Sequence, residues 1–147
     1  MLFEKESADL LDATLDMDEE AVAESIEKIH MEYVSSIQYN DENSLSSVLS
    51  IAYLSTLRYY FKPIRELPAG RGFADFVFIP KPEYVEYYPA LLIELKWNKN
   101  AKTALQQIKE RKYPSALLQY TGNILLVGIN YNKKTKVHEC KIEEFVK

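Results

Sequence analysis

Apolar side chains recur at helical spacing in two segments of the first 60 residues. In residues 19–34 they are Val22, Ile26, Ile29 and Val34, which is near helical spacing, and Asp18 precedes them as a candidate N-cap. A second stripe follows Asp41 and extends to about residue 60. Its members are Leu45, Val48, Leu49, Ala52 and Leu57. The pattern predicts two amphipathic helices, the second of them long and mostly buried.

The remaining pattern is that of β-strands interrupted by one helix. Segments rich in β-branched and aromatic residues cover residues 61–68, 73–79, 89–97, 123–131 and 136–145. The fourth segment is apolar on both faces, whereas the fifth alternates loosely, as an edge strand does. Residues 99–112 predict a helix, with Ala101 and Leu105 on its apolar face.

These elements predict an α/β fold, a mixed sheet with helices on both of its faces. Two strands separated by a helix, here 89–97 and 123–131, pair in parallel through a right-handed crossover. The earlier strands are joined by short turns, which favours antiparallel pairing. A chain of 147 residues fits one domain. We divide it into a helical leader, 1–41, and a core, 42–147.

Composition limits the class of protein. The single cysteine, Cys140, excludes an intrachain disulfide and fits a reducing, cytoplasmic location. The longest apolar stretches, such as 124–129, are far shorter than the roughly 18 residues of a membrane-spanning helix. No membrane association is therefore expected. No GxxxxGK loop is present, which argues against ATP hydrolysis by this chain.

Charge is divided unevenly along the chain. Residues 1–43 hold 13 acids and 2 bases, and residues 44–147 hold the other 9 acids and 16 bases. A basic body with an acidic leader is compatible with a polyanionic partner for the body alone. A solvated helix face accounts for the acidic stretch equally well.

Three charged residues interrupt otherwise apolar strands. Asp75 lies within the apolar segment 73–79, and Glu94 and Lys96 lie within ALLIELKW at residues 90–97. Because strand residues alternate between faces, Glu94 and Lys96 share one face. Such interruptions are typical of functional sites, although a structural ion pair explains the spacing of Glu94 and Lys96 as well.

One acid on each of two neighbouring strands is a donor set for a divalent cation. Mg²⁺ binds oxygen ligands, usually one or two carboxylates together with phosphate and water, and Mn²⁺ is an alternative. A lysine two residues from Glu94 can reach a metal-bound water or the scissile phosphate. Asp75, Glu94 and Lys96 therefore supply the minimum for phosphodiester hydrolysis.

The combined pattern resembles the PD-(D/E)XK nuclease superfamily, which has a restriction-endonuclease-like fold. The resemblance rests on GRGFADFV at residues 70–77, LIELKW at 92–97, and a helix that contains Gln107 and ends at 111–113. More narrowly, the chain resembles the nuclease-like domain at the C-terminus of bacterial AAA-ATPase-like proteins, over about residues 42–131.

This resemblance assigns roles to residues of the chain. Asp75 and Glu94 would be metal ligands, Lys96 the catalytic lysine, and Gln107 a catalytic-site residue on the helix. Glu42 matches an acidic residue that many members place on the first core helix as a further metal ligand. The segment NSLSS after Glu42 departs from the family, in which aromatic residues and a histidine are common there.

Basic residues concentrate on and beside the predicted helix. Lys99, Lys102, Lys109 and Arg111 are candidates for contacts with nucleic-acid phosphates. A solvated amphipathic helix is the alternative. The tyrosines within 84–88 either stack on bases or pack locally.

The favoured function is therefore Mg²⁺-dependent hydrolysis of nucleic acid, with DNA as the favoured substrate. Two alternatives stay open. One is a catalytically silent binding module on the same fold. The other is a regulatory domain that packs on an ATPase partner through the acidic leader.

Overall fold

The computed structural model describes residues 2–33, 49, 53–62, 64–68, 73–110, 122–132 and 134–145. The helices with described bounds are α1 (Leu2–Leu15), α2 (Glu19–Tyr33) and α3 (Ala101–Glu110). The described strands are β1 (Ile64–Pro68), β2 (Phe73–Phe78), β3 (Ala90–Trp97), β4 (Ile124–Asn132) and β5 (Val137–Phe145). Short 3-10 turns cover Leu54–Arg58 and Pro82–Tyr84.

The described strands form one mixed sheet in the order β1-β2-β3-β4-β5. Strands β3 and β4 run parallel, and each other neighbouring pair is antiparallel. This confirms the predicted parallel pair with α3 in its connection, and it confirms the edge position of β5. The α/β class with helices on both faces of a mixed sheet is also confirmed.

Alternation along the strands directs apolar side chains into two cores. One face of the sheet, with Ile93 and Leu95 of β3, packs against α1 and α2. The other face, with Leu92, packs against Leu105 of α3. Strand β4 is buried on both faces, which is the pattern of a central parallel strand. Among the described helices, none has the length and apolar character needed to cross a membrane.

Helix α1 is an element that the apolar spacing does not predict. Its Leu10 is fully buried in the core that α2 shares. The helix is followed by a left-handed residue, Met17 (φ 57°), whose N–H donates to the carbonyl of Thr14 at 3.1 Å. The predicted cap of the next helix is confirmed, because Asp18 Oδ1 accepts a hydrogen bond from the N–H of Ala21 at 3.1 Å.

Two glutamates of helix α2 accept hydrogen bonds from backbone N–H groups on the outer edge of β5. Glu27 Oε1 accepts a hydrogen bond from the backbone N–H of His138 at 3.0 Å and lies 2.6 Å from Nδ1 of the same residue. Glu19 Oε2 accepts a hydrogen bond from the N–H of Ile142 at 2.7 Å. An unpaired strand edge is a template for association with other strands. These two acids of the leader are therefore structural and do not only face solvent.

The helix predicted to extend to about residue 60 ends earlier. Leu49 is helical and buried, but Leu54–Arg58 forms a 3-10 turn. Because a 3-10 turn has about 3.0 residues per turn, the buried positions are Tyr53 and Thr56, whereas Leu57 is 43% exposed. The prediction that Leu57 belongs to the buried stripe is wrong. The prediction that Leu49 is buried is confirmed, and Leu45, Val48 and Ala52 lie outside the described residues.

The turn between β4 and β5 contains a left-handed residue that glycine should replace favourably. Lys136 is exposed and has a φ of 60°, a region that disfavours residues with a Cβ. We expect Lys136→Gly to raise the free energy of unfolding by about 1 kcal/mol, measured by urea denaturation. Lys134→Gly removes the same charge from the same turn at a residue without a positive φ. It should lower stability or leave it unchanged, and equal effects of the two variants would refute the explanation.

Candidate active site

Glu94 and Lys96 lie on the face of β3 that α3 covers. Their neighbours Ile93 and Leu95 belong to the opposite core, as the alternation predicts. Glu94 is 1% exposed, and Lys96 is half-buried. A carboxylate so far from bulk water keeps its charge only where protein groups or a cation compensate it. The strand therefore presents an acid and a base together in a sheltered position.

Strand β2 brings Asp75 alongside this position. It pairs with β3 so that Phe76 lies opposite Ile93 and Val77 opposite Leu92. The same register, carried one residue further, sets position 75 across from Glu94. Position 75 also has the parity of Val77, whose side chain belongs to the core beside α3. The strands are adjacent, as predicted. The distance between the carboxylates stays a prediction, because the Asp75 side chain lies outside the described atoms.

Gly128 of β4 pairs with Glu94 and allows α3 to approach the sheet. A Cβ at this position would lie 2.5 Å from the carbonyl oxygen of Ala101 and 2.8 Å from the backbone nitrogen of Leu105. Both atoms belong to the backbone of α3, so a rotamer change cannot relieve the overlap. Glycine is needed here for close approach, and α3 consequently lies directly over the strand beside Glu94.

Asn130 and Glu139 fix the start of α3 beside Lys96. Asn130 is 3% exposed and pairs with Lys96 in the sheet register. Its Oδ1 accepts a hydrogen bond from the N–H of Lys99 at 3.0 Å, and its Nδ2 donates to the carbonyl of Lys99 at 3.3 Å. Glu139 Oε1 accepts from the N–H of Ala101 at 2.6 Å. A carboxylate of the protein itself thus occupies the positive end of the α3 dipole.

The turn between β3 and α3 is built from polar residues that the sequence motifs did not single out. Asn98 adopts a left-handed conformation with a φ of 56°, which asparagine tolerates better than most residues. Asn100 caps α3, because its Oδ1 accepts a hydrogen bond from the N–H of Thr103 at 2.6 Å. The amide of Asn130 within the apolar segment ILLVGINY was the available sequence signal for this arrangement.

The remaining candidate residues are only partly described. Lys99 and Lys102 are exposed, as contacts with a phosphate backbone require. Gln107 and Lys109 lie within α3, but their side chains are outside the described atoms. Glu42 and Arg111 lie outside the described residues. In an α-helix, position 107 is turned by about 140° from position 102, so Lys102 and Gln107 lie on different sides of α3.

The sequence was compared with models of known protein families. A family model of the PD-(D/E)XK nuclease superfamily matches residues 40–141, which is most of the chain. The chain belongs to this superfamily. A search of curated proteins found no match. Membership confirms the superfamily predicted from the strand motifs around Asp75 and Glu94. The narrower likeness to a domain of AAA-ATPase-like proteins stays a prediction.

PD-(D/E)XK nucleases generally use divalent metal ions. Among the side chains that the structure describes, no group of three or more His, Cys, Asp or Glu residues could hold such an ion. The described part of the site nevertheless fits a hard cation in its chemistry. Glu94 supplies carboxylate oxygens away from bulk water, and the register sets a second acid, Asp75, on the adjacent strand.

Two groups of residues away from this site behave as local packing predicts. Cys140 is buried in β5, and burial raises the pKa of its thiol, which opposes formation of the thiolate that a nucleophile requires. Tyr84 and Tyr88 pack on the ring of Tyr59, with centroids at 5.1 and 4.4 Å. Tyr87, in contrast, is 76% exposed.

Proposed function

We propose that this protein hydrolyses phosphodiester bonds of nucleic acid, with DNA as the favoured substrate and Mg²⁺ or Mn²⁺ as the metal. The observation that carries the proposal is the placement of Glu94 and Lys96 on one sheltered face of β3, beside the strand that contains Asp75. Membership in a nuclease superfamily supports the same reaction. The reaction consumes one water molecule for each P–O bond that breaks, and it leaves a phosphate on one end of the cut strand and a hydroxyl group on the other.

Each proposed residue has a distinct role. Asp75 and Glu94 hold the cation, with Glu42 as a further ligand. A bound divalent cation would supply Lewis acidity and an activated water. Lys96 contributes an ammonium group that offsets the charge developing on the phosphate oxygens. Gln107 approaches the site from α3 and orients the reacting groups.

Binding of the nucleic acid is assigned to the basic residues at the start of α3 and along it. Lys99 and Lys102 are exposed, which supports contacts with phosphates, and Lys109 and Arg111 would extend the same contacts. The amino end of α3 does not bind phosphate, because Glu139 accepts a hydrogen bond from the N–H of Ala101 there. Affinity should therefore depend on side-chain charge and fall with added salt.

Cleavage of labelled oligonucleotides tests the proposal directly. The folded chain is incubated with single- and double-stranded DNA and RNA in Mg²⁺, in Mn²⁺ and in chelator. We expect DNA fragments with either metal and none with chelator. Intact substrates in every metal-containing reaction would end the nuclease proposal and leave only the superfamily.

Metal binding should also stabilise the folded protein, because the unfolded chain lacks the assembled site. A cation at ten times its dissociation constant adds about 1.4 kcal/mol, which raises the melting temperature by roughly 3–5 °C at this size. We expect this shift with Mg²⁺ or Mn²⁺ at constant ionic strength, and we expect Glu94→Gln to abolish it. Glu83→Gln, an exposed acid away from β3, is the matched control. Equal shifts in all three proteins would show that the ion binds elsewhere.

A non-catalytic binding module is the second candidate. The near-complete burial of Glu94 favours it, since a cation that also contacts the substrate phosphate must reach this carboxylate for the reaction to occur. In this case the protein binds nucleic acid in a salt-dependent manner and cleaves none. The exposed acids of α1 and α2, such as Asp9 and Glu24, would support the third role, docking on an ATPase partner, and that role predicts neither activity.

A further inference from the structure

A cavity of about 670 Å³ lies at the end of the sheet opposite the candidate active site. Pro89 and Ile124, at the amino ends of β3 and β4, contribute to its wall, together with Leu15 at the end of α1. Lys96 is six residues along β3 from the first residue of that strand, Ala90, which is roughly 20 Å. We call this space the distal cavity. Its size is that of a ligand site, and the proposed nuclease chemistry does not use it.

Aromatic rings form one part of the wall of the distal cavity. Tyr87, Tyr88 and Phe145 line it. Tyr87 is 76% exposed and Phe145 is 40% exposed, although large aromatic side chains are usually covered in a folded protein. Tyr88 is held in place by stacking on Tyr59 at 4.4 Å. The cavity therefore offers one fixed ring and two accessible rings to a ligand.

Negative charge forms the other part of the wall. Glu86 and Glu144 line the cavity and are exposed, and no lysine or arginine is among the lining residues that the structure describes. Helix α1 ends at the cavity, and its last turn contains no basic residue, so the negative end of its dipole adds to the charge of the two carboxylates. The pKa of Tyr88 is raised by burial first, and further by its contact with Tyr59 and by the Asp12 carboxylate.

Accessible aromatic rings beside carboxylates favour a positively charged ligand. The face of an aromatic ring attracts ammonium and guanidinium groups, and carboxylates add charge attraction. Nucleic acid is repelled by the same surface. We propose that the distal cavity binds lysine or arginine side chains of a basic polypeptide segment of a partner protein. This site is independent of the nuclease reaction, because the cavity lies beside the amino end of β3 and Lys96 lies near its carboxyl end.

Binding of a labelled peptide with alternating glycine and arginine tests the proposal by fluorescence anisotropy. We expect the full chain to bind this peptide and not its counterpart with citrulline in place of arginine. The double variant Glu86→Gln/Glu144→Gln should raise the dissociation constant by about tenfold, and Tyr87→Ala by about threefold. All these positions are on the surface, and equal melting temperatures would show that the variants fold.

Glu83→Gln supplies the matched control. Glu83 is exposed on the same connection between β2 and β3 but does not line the distal cavity, so this variant should bind as the parent chain does. An equal loss in Glu83→Gln would show general charge attraction and overturn the proposal. The absence of peptide binding, equal binding of the citrulline peptide, or binding of free butylammonium as tight as that of the peptide would also overturn it. Unchanged binding by Lys96→Ala would support a site separate from the nuclease site.

Discussion

Replacement of Lys96 by alanine is expected to lower the rate of metal-dependent DNA cleavage by roughly 10²-fold or more, the loss typical of a preorganised charge that acts in a transition state. Lys96 is half-buried on the face of β3 that also presents Glu94. No other described residue of β3 is basic. DNA affinity should fall only modestly, because a single phosphate contact among several is lost. The two quantities are measured by single-turnover cleavage and by anisotropy with chelator present.

Lys102→Ala is the matched comparison, because it should weaken DNA binding and leave the cleavage rate of bound DNA nearly unchanged. Lys102 is exposed on α3 and is proposed to contact phosphate only. We expect it to weaken DNA binding and to reduce the magnitude of the salt slope by about one unit, with little change in cleavage of bound DNA. If Lys96→Ala and Lys102→Ala lower cleavage equally, Lys96 has no role in the chemical step. A melting temperature close to that of the parent must accompany both results.

Gly128→Ala is expected to destabilise the protein by about 2–3 kcal/mol, which overpacked sites commonly lose. The added Cβ would meet backbone atoms of α3 at 2.5 and 2.8 Å, so the helix must move away from the sheet. The melting temperature should fall by roughly 5–10 °C. Because Gly128 pairs with Glu94, the movement should also reduce any DNA cleavage that the folded variant retains.

A second substitution distinguishes backbone overlap from side-chain crowding at Gly128. The Cβ of Ala104 would lie 3.1 Å from the new Cβ. If this contact were responsible, Ala104→Gly would restore stability in the Gly128→Ala background. We expect no rescue, because the two shorter contacts involve backbone atoms of Ala101 and Leu105. Lys102→Ala, on the exposed side of α3, should change stability by less than about 0.5 kcal/mol. An unchanged melting temperature for Gly128→Ala would contradict the close packing of α3 on β4.

The sheet was largely predictable because its signal is local. Runs of β-branched and aromatic residues, the helix between two of them, and the cap at Asp18 all depend on residues close together in the chain. Two errors share one cause. The apolar spacing predicts an α-helix through Leu57, where the structure has a 3-10 turn. Within the helical leader it predicts no separate helix at α1, because acids surround the few buried positions, such as Leu10. In both cases packing against distant segments decided the conformation.

The candidate site also contains residues that the local sequence predicts and residues that depend on distant partners. Alternation alone placed Glu94 and Lys96 on one face, and the motifs around them indicated the superfamily that the family comparison confirms. Asn130 and Glu139 were missed because their roles depend on partners 31 and 38 residues away. Glu42 and Gln107 remain assignments by resemblance, Arg111 remains a predicted phosphate contact, and the side-chain position of Asp75 remains a prediction.

The sequence by itself determined the strands, the order of the elements and the pairing of an acid with a lysine on one strand face, because the side-chain period of a strand is fixed by its backbone. Tertiary structure alone decided three further features. It set the register that brings position 75 opposite Glu94, and it allowed the close approach of α3 at Gly128. It also brought Glu27 of the leader to His138, 111 residues away. These features depend on which distant segments pack together, and no local pattern of apolar and polar residues specifies that choice.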